Sequence, residues 1–204
     1  MGASPDLGSA LAGPVLEVAP RLLGAVLRCG PVAVRLTEVE AYAGSDDAGS
    51  HAYRGRTPRT AVMFGPPGFL YCYFTYGMHV CCNVVTGEEG TASAVLLRAG
   101  EVIDGIEVAR ARRPRASDRD LARGPARLCK ALGITLEDNG ADLTGGADGL
   151  VTLELADRPQ TEISTGPRVG LRGDPDRPWR FWSTGERTVS TYRPAAPLRP
   201  RTRS

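Results

Sequence analysis

The sequence has no long hydrophobic run, and its first basic residue comes late. No apolar stretch in the 204 residues approaches the roughly 20 that an α-helix needs to span a bilayer. The segment before Arg21 contains Asp6 but no lysine or arginine, whereas a secretory signal begins with a positively charged region. We therefore expect a cytoplasmic chain without a membrane partner.

Cysteine is sparse and irregularly spaced. The five cysteines are an odd number and include no Cys-x-x-Cys pair. Cys72, Cys81 and Cys82 lie in apolar strand-like sequence, where thiols usually act as small hydrophobic side chains. His79 lies near Cys81, but no further residue has the spacing of a zinc ligand. The sequence therefore predicts neither a disulfide framework nor a metal site.

Lysine is almost absent, because Lys130 is the sole lysine among 25 basic residues. The net charge is only +2, yet arginines outnumber acidic residues over 110–127. A guanidinium matches the geometry of a phosphate, so a phosphodiester partner is one interpretation. A solvated helical face is the alternative. This feature alone leaves both open.

Length and pattern predict one mixed α/β (α+β) domain over residues 1–192. Residues 193–204 are rich in arginine and proline, and we expect a disordered tail there. The long connection over 43–68 is typical of a functional loop. Helices are expected over 18–29, over 105–113 and from Pro125 to Gly133, where glycine would end the helix. Asp104 is expected to cap the second helix, and Ser117 with Asp120 resembles a capping box. Strands are expected over 32–42, 91–99, 150–155, 168–171 and 179–183, with a hairpin over 69–86.

Two glutamates occur in the strand "VAVRLTEVEAY". Strict alternation places Glu38, Glu40 and Tyr42 on the same face as Val34 and Leu36. A carboxylate on an apolar face is costly unless it has a partner or a task. The alternative is that the strand end emerges into water and solvates both glutamates.

Arg98 favours a buried pair over the solvated alternative. It ends the apolar run "AVLLR", and a buried guanidinium needs an anion. Glu40 is one candidate partner, and such a pair could hold a water molecule. Glu101, in the following segment, is the competing partner.

The stretch "LYCYFTYGMHVCCNVV" predicts a β-hairpin with a two-residue turn at Tyr76 and Gly77, since glycine tolerates positive φ. Tyr76 and the following Met78 would then form an exposed tip. Proteins that distort the DNA minor groove insert such side chains between bases. Tyr71 and Tyr73 share one strand face, where they either line a pocket or fill the core.

A histidine lies within the long connection, in "SHAYRGRTPR". His51 is followed by Arg54, Arg56 and Arg59. A lone loop histidine is usually a surface residue, but this combination also suits contacts to phosphates or bases.

The fragments "TEVEAY", "HAYRGRTPR", "GFLYCYFTYGMHVCCN", "VLLRA", "GPARLCKALGI", "RVGL" and "WRFW" occur in this order. Together they resemble the alkyladenine (3-methyladenine) DNA glycosylase family from about Val15 to Ser190. The resemblance implies a single domain built on a curved sheet, with a hairpin that projects into the minor groove.

The resemblance also implies a role for each matched position. The position of Glu40 activates the hydrolytic water, Arg98 helps to hold it, and the Val169 carbonyl completes the water site. Asn83 disfavours normal guanine, and Gly170 lies close to the DNA. Further positions sandwich the extruded base (Tyr42, His51, Tyr73), intercalate (Tyr76) or contact DNA (Met78, Arg59).

The implied activity is hydrolysis of the N-glycosyl bond of alkylated or deaminated purines in double-stranded DNA, without a cofactor. The scarcity of lysine predicts a monofunctional enzyme, because strand-cutting glycosylases use an amine to form a Schiff base. We expect a monomer associated with chromosomal DNA. Two alternatives are a glycoside hydrolase that uses Glu38 and Glu40 as paired carboxylates and a non-catalytic module that binds damaged DNA.

Overall fold

The structure is a computed structural model that describes residues 6–75, 77–145 and 149–196. Within these residues, eight strands form one curled antiparallel sheet flanked by four α-helices. The predicted single α+β domain, with its antiparallel sheet and hairpin, is confirmed.

The sheet has the strand order β3-β4-β5-β2-β1-β6, and β8 pairs with both β2 and β7. Five of the strands correspond closely to predicted ones, whereas β1 and β7 were not predicted and β5 runs further than expected. The strands are β1 (Val26–Cys29), β2 (Val32–Tyr42), β3 (Leu70–Thr75), β4 (His79–Val85), β5 (Ala94–Asp104), β6 (Val151–Glu154), β7 (Ile163–Gly166) and β8 (Arg180–Ser183).

The helices are short, and the described ones are α1 (Leu7–Leu11), α2 (Val15–Arg21), α3 (Ile106–Arg112) and α4 (Pro125–Leu132). As predicted, α4 begins at Pro125 and ends at Gly133, whose φ of +81° suits glycine. It packs its apolar face on β4 and β5. In the described ranges, the longest helix has 8 residues, and none could cross a membrane.

Strand β2 lies at the centre of the sheet and contains a β-bulge at Thr37. Residue Leu36 pairs with Gly100 and Glu38 pairs with Ala99, so Thr37 is an extra residue on β2. Such a bulge moves the following side chains to the opposite face. The core accordingly contains Val34, Leu36, Val39 and Ala41.

The expectation that Glu38, Glu40 and Tyr42 share a face with Val34 and Leu36 was therefore wrong. Strict alternation does not allow for the extra residue. A second bulge, opposite Glu38 and Val39, leaves Arg98 without a partner residue on β2, since these two residues pair with Ala99 and Leu97. The two bulges bring the carboxylates and the guanidinium together on the face opposite the core.

The predicted helix over 18–29 was wrong beyond Arg21. Helix α2 ends there, Gly24 adopts a φ of +83°, and Val26–Cys29 form β1. The Gly24 N–H donates to the Leu36 carbonyl at 2.8 Å, so the backbone joins the sheet. Leu22, Leu23 and Leu27 are all fully buried, and a short apolar run of this kind does not discriminate between helix and strand.

The predicted strand over 168–171 was also wrong. Val169 and Gly170 form a turn, and Gly170 has a φ of +69°. The Val169 N–H donates to a carboxylate oxygen of Glu40, and the Gly170 N–H donates to the Arg193 carbonyl. Their backbone donors are therefore used outside any strand ladder.

Three smaller expectations about turns and caps were wrong in whole or in part. Thr75 pairs with His79, so three residues connect β3 and β4 rather than two, although the Met78 N–H donates to the Thr75 carbonyl at 3.3 Å and Gly77 has the expected positive φ of +69°. Helix α3 has Gly105 at its N-cap, while Asp104 ends β5 and accepts hydrogen bonds from Arg28 and the Gly105 N–H. The Ser117 hydroxyl donates to the Asp120 carboxylate instead of accepting a backbone N–H, so the two do not form a capping box.

Candidate active site

A cavity of about 610 Å³ opens on the face of the sheet opposite the core. Its wall combines β2, β3 and β5 with the long connection after β2, the start of α4 and the turn after β7. Residues 193–196 also line it, so this first part of the predicted tail lies against the site, while residues 197–204 fall outside the described ranges. The lining residues include Glu40, Tyr42, His51, Tyr71, Tyr73, Arg98 and, at the turn, Val169 and Gly170.

Glu40 is fully buried in the cavity wall, and donors hold both of its oxygens. Oε1 accepts the Val169 N–H at 2.7 Å and lies 3.3 Å from Nη1 of Arg98. Oε2 accepts the Tyr42 hydroxyl at 2.8 Å. Three donors therefore compensate the negative charge and fix the orientation of the carboxylate.

Arg98 bridges the two glutamates of β2. Its Nη1 faces Glu40, its Nε donates to Oε1 of Glu38 at 2.9 Å, and its side chain is 7% exposed. Burial opposes the guanidinium charge, but the carboxylates of Glu40 and Glu38 outweigh it and raise the pKa of Arg98. The expected Glu40 pair is confirmed, whereas the competing partner Glu101 pairs with Arg35 instead.

Glu38 supports Arg98 from behind and is not part of the described cavity wall. Besides the bond from Arg98, its carboxylate accepts hydrogen bonds from Arg180 Nη1 at 3.1 Å, from the Ser190 N–H at 2.6 Å and from the Ser190 hydroxyl at 2.9 Å. Neither Arg180 nor Ser190 was predicted as a site residue, because both are distant in sequence. This arrangement uses Glu38 as a structural anion, so it does not provide the second free carboxylate of a glycoside hydrolase.

Three aromatic side chains form one wall of the cavity. The rings of Tyr71 and Tyr73 stack with centroids 5.6 Å apart, and His51 meets Tyr73 edge-on at 4.5 Å. The His51 Nδ1 lies 3.2 Å from the Tyr71 hydroxyl. Both tyrosines border the cavity, but Tyr71 is 1% exposed and belongs to a small buried cluster with Met63 and Val85, so the structure supports the core interpretation as well as the pocket interpretation.

The aromatic groups of the cavity are uncharged at neutral pH. Burial, followed by the charge of Arg59, lowers the pKa of His51 to about 4. Burial also raises the pKa of Tyr42 and of Tyr73, and the charge of Glu40 adds to this effect on Tyr42. The cavity therefore presents neutral ring faces beside an anionic carboxylate.

The remaining predicted site residues lie at different distances from the cavity. Met78 is 70% exposed beside the hairpin tip, whereas Tyr76 falls outside the described residues. Arg59 lies 3.5 Å from Nε2 of His51 and over the Tyr73 ring. Asn83 is buried, donates to the Tyr71 carbonyl at 3.1 Å and is absent from the described cavity wall.

A buried ion pair next to the site was missed by the sequence analysis. Asp47 and Arg168 are 0% and 1% exposed and form a two-pronged salt bridge. The guanidinium stacks on the ring of Tyr42, and the residue directly after it, Val169, donates to Glu40. The sequence predicted a strand over 168–171 and gave no indication that Arg168 is buried and paired with Asp47.

No group of three or more potential metal ligands was found in the described parts of the chain. All five cysteines are buried as free thiols, and burial raises the pKa of Cys81, which lies in the cavity wall, to about 12. The site geometry thus rests on carboxylate, guanidinium and aromatic groups.

Comparison with known proteins identifies the family of the chain. Residues 9–187 match the family described as methylpurine-DNA glycosylase (MPG). A Nocardia farcinica protein is 58% identical over 188 residues, which cover 88% of each chain, and a Frankia casuarinae protein is 54% identical over 98% of each chain. A Streptomyces avermitilis protein is 54% identical over 93% of this chain and 92% of its own. All three are provisionally named 3-methyladenine DNA glycosylases. The chain therefore belongs to the methylpurine-DNA glycosylase family.

Proposed function

We propose that the chain is a monofunctional DNA glycosylase in which Glu40 activates a water molecule to release an alkylated or deaminated purine. Family membership makes the chain a DNA glycosylase of base excision repair, and hence a hydrolase of N-glycosyl bonds. The observation that carries the proposed mechanism is the buried Glu40 carboxylate in the wall of an aromatic cavity.

The contacts of Glu40 support its role as the base. Because Arg98, Tyr42 and the Val169 N–H already orient the carboxylate, little reorganisation is needed when it accepts a proton from water. Its negative charge also stabilises the oxocarbenium-like sugar that develops as the base departs. The proposed water lies between Glu40, Arg98 and the Val169 carbonyl.

The aromatic wall supports recognition of a damaged purine. A purine methylated at N3 or N7 carries a positive charge, and the faces of Tyr42 and Tyr73 would attract it by up to about 2 kcal/mol each when desolvated. His51 is neutral above pH 5, so it does not repel the cation. In the proposal, Tyr42, His51 and Tyr73 sandwich the extruded base, and Asn83 disfavours normal guanine.

The hairpin supplies the proposed contact with double-stranded DNA. A base inside a duplex must leave the stack before such a cavity can receive it. We assign Tyr76 to the space left by the extruded nucleotide, with Met78, Arg59 and Gly170 beside the DNA. The exposed Met78 and the half-exposed Phe74 support insertion into the minor groove. The proposed enzyme acts as a monomer on chromosomal DNA.

The position of Lys130 supports a monofunctional reaction. This residue lies on the exposed side of α4, and the described cavity wall contains no lysine. A Schiff base with the sugar would require an amine at the reacting carbon. Water, activated by Glu40, is therefore the proposed nucleophile, and the product is an intact strand with an abasic site.

One assay separates the proposal from its alternatives. The purified protein is incubated with methylated duplex DNA, and released bases are separated by chromatography. The proposal predicts free methylated purines, whereas a non-catalytic module would bind the DNA and release nothing. A glycoside hydrolase would instead release reducing sugar from oligosaccharides.

The role of Glu40 is tested with Glu40→Gln and a matched control, Glu101→Gln. Both residues are strand glutamates, but Glu101 is exposed and pairs with Arg35. We expect Glu40→Gln to abolish base release while binding to lesion DNA is largely preserved, and Glu101→Gln to retain both. Excision by Glu40→Gln at a rate close to that of the wild type would show that Glu40 is not the base.

A further inference from the structure

The pair of Asp47 and Arg168 lies directly behind the cavity. Arg168 is among the largest fully buried side chains, and its guanidinium contacts Asp47 through Nη1–Oδ2 at 2.5 Å and Nη2–Oδ1 at 2.7 Å. Nη1 also donates to the Ala41 carbonyl at 2.9 Å. These contacts span 121 residues of sequence and hold the guanidinium in one place.

The guanidinium packs against two aromatic rings. Its central carbon is 4.6 Å from the centroid of Tyr42 and 5.1 Å from that of Trp179. One face of Tyr42 is therefore covered by Arg168, and Tyr42 also lines the cavity. A base stacked on the free face of Tyr42 would be separated from a cation by a single ring.

This arrangement creates an electrostatic conflict that Asp47 removes. A cationic base stacked on Tyr42 would lie about 8 Å from the guanidinium carbon, given a stacking distance of roughly 3.5 Å. Two positive charges at that separation repel each other enough to weaken binding roughly 10- to 30-fold at an effective dielectric constant of about 20. With the Asp47 carboxylate in contact with Arg168, the pair has no net charge.

We propose that Asp47 is a specificity-determining residue that neutralises Arg168 and thereby allows the cavity to accept positively charged purines. This inference rests on the proposed function, because it requires the base to stack on Tyr42. A neutral purine has no net charge for Arg168 to repel. Asp47 therefore favours cationic lesions over neutral ones without contacting either.

The test compares two lesions that differ in charge. Equilibrium dissociation constants are measured for duplexes that contain one 7-methylguanine or one hypoxanthine, each relative to undamaged duplex. All proteins carry Glu40→Gln, so that the lesion stays intact during the measurement. The variants are Asp47→Asn, which leaves Arg168 unneutralised, and the double variant Asp47→Asn/Arg168→Gln, which restores a pair without net charge.

The expected result is a change in the ratio of the two affinities. Asp47→Asn should weaken binding of 7-methylguanine roughly 10- to 30-fold more than binding of hypoxanthine, and the double variant should restore the original ratio. Equal losses for both lesions would overturn the proposal, because a merely structural pair changes both alike.

Folding is monitored by circular dichroism, since Asp47→Asn leaves a buried cation unpaired. If Asp47→Asn does not fold, the test uses the double variant and Arg168→Lys, which keeps the charge pair. Both must retain the original ratio of the affinities for 7-methylguanine and hypoxanthine. A changed ratio in either variant overturns the proposal. The proposed function itself fails if the Glu40→Gln protein without further substitutions binds neither lesion better than undamaged DNA, and the wild-type protein releases no base. That outcome is separate from a failure of the charge argument.

Discussion

Replacing Arg98 with methionine tests the buried charge arrangement that supports the site. Methionine has a similar length and no charge, so Arg98→Met removes the contacts of Nε with Glu38 at 2.9 Å and of Nη1 with Glu40 at 3.3 Å. Glu38 keeps Arg180 and Ser190, and Glu40 keeps the Val169 N–H and the Tyr42 hydroxyl. The net loss is therefore one uncompensated buried charge.

Breaking a buried ion pair by removing one partner costs about 3–5 kcal/mol of unfolding free energy. For a chain of this size, each kcal/mol changes the Tm by about 2–4 °C, so we expect Arg98→Met to lower the Tm by roughly 6–20 °C.

The assay is thermal unfolding followed by tryptophan fluorescence at neutral pH. Arg35→Met is the matched control, because Arg35 also bridges two carboxylates, Glu101 and Glu186, but its side chain is 32% exposed. Exposed pairs contribute about 1 kcal/mol or less, so the control should lose little stability. Equal losses in the two variants would refute the reasoning.

Three further predictions concern His51, Tyr76 and Lys130. The pKa of His51 falls from 6.5 to about 4 on folding, so between these pH values the unfolded chain is protonated at His51 and the folded chain is not. Folding stability should therefore decrease as pH falls from about 6.5 to about 4. Urea titrations of His51→Gln should show a weaker decrease, and an identical one would contradict the assignment. Tyr76→Ala should weaken lesion binding more than binding to undamaged duplex, whereas equal losses would indicate a structural role. Lys130→Ala should retain base release, and borohydride should trap no covalent DNA adduct with the wild type; a trapped adduct would contradict the monofunctional mechanism.

Local patterns predicted the parts of the fold that local physics determines. The hairpin of β3 and β4 follows from β-forming residues on both sides of Gly77, and α4 follows from Pro125 and Gly133 at its ends. The pair of Glu40 and Arg98 was predicted because each charge lies in an apolar strand and needs a partner.

Features that depend on long-range packing could not be read from the sequence. The bulge at Thr37 reverses which residues of β2 face the core, and alternation carries no sign of it. Glu38 accepts hydrogen bonds from Arg180 and Ser190, which are 142 and 152 residues away in the sequence. Arg168 finds Asp47 at a separation of 121 residues, and nothing local marks either residue as buried.

The resemblance to a glycosylase family predicted the membership that the comparisons show, and it did so from ordered fragments rather than from any single motif. Its residue-by-residue roles remain predictions. The structure brings Glu40, Tyr42, His51, Tyr73, Arg98 and Val169 around one cavity and places Asn83 behind it.

A crystal structure of Glu40→Gln bound to a duplex with one intact damaged purine tests the central claim most directly. The account predicts that the base lies in the aromatic cavity and that the side chain at position 40 faces the anomeric carbon of its sugar, with a water molecule between them. A side chain at position 40 that points away from the sugar, or a base that stays stacked in the helix, would contradict it.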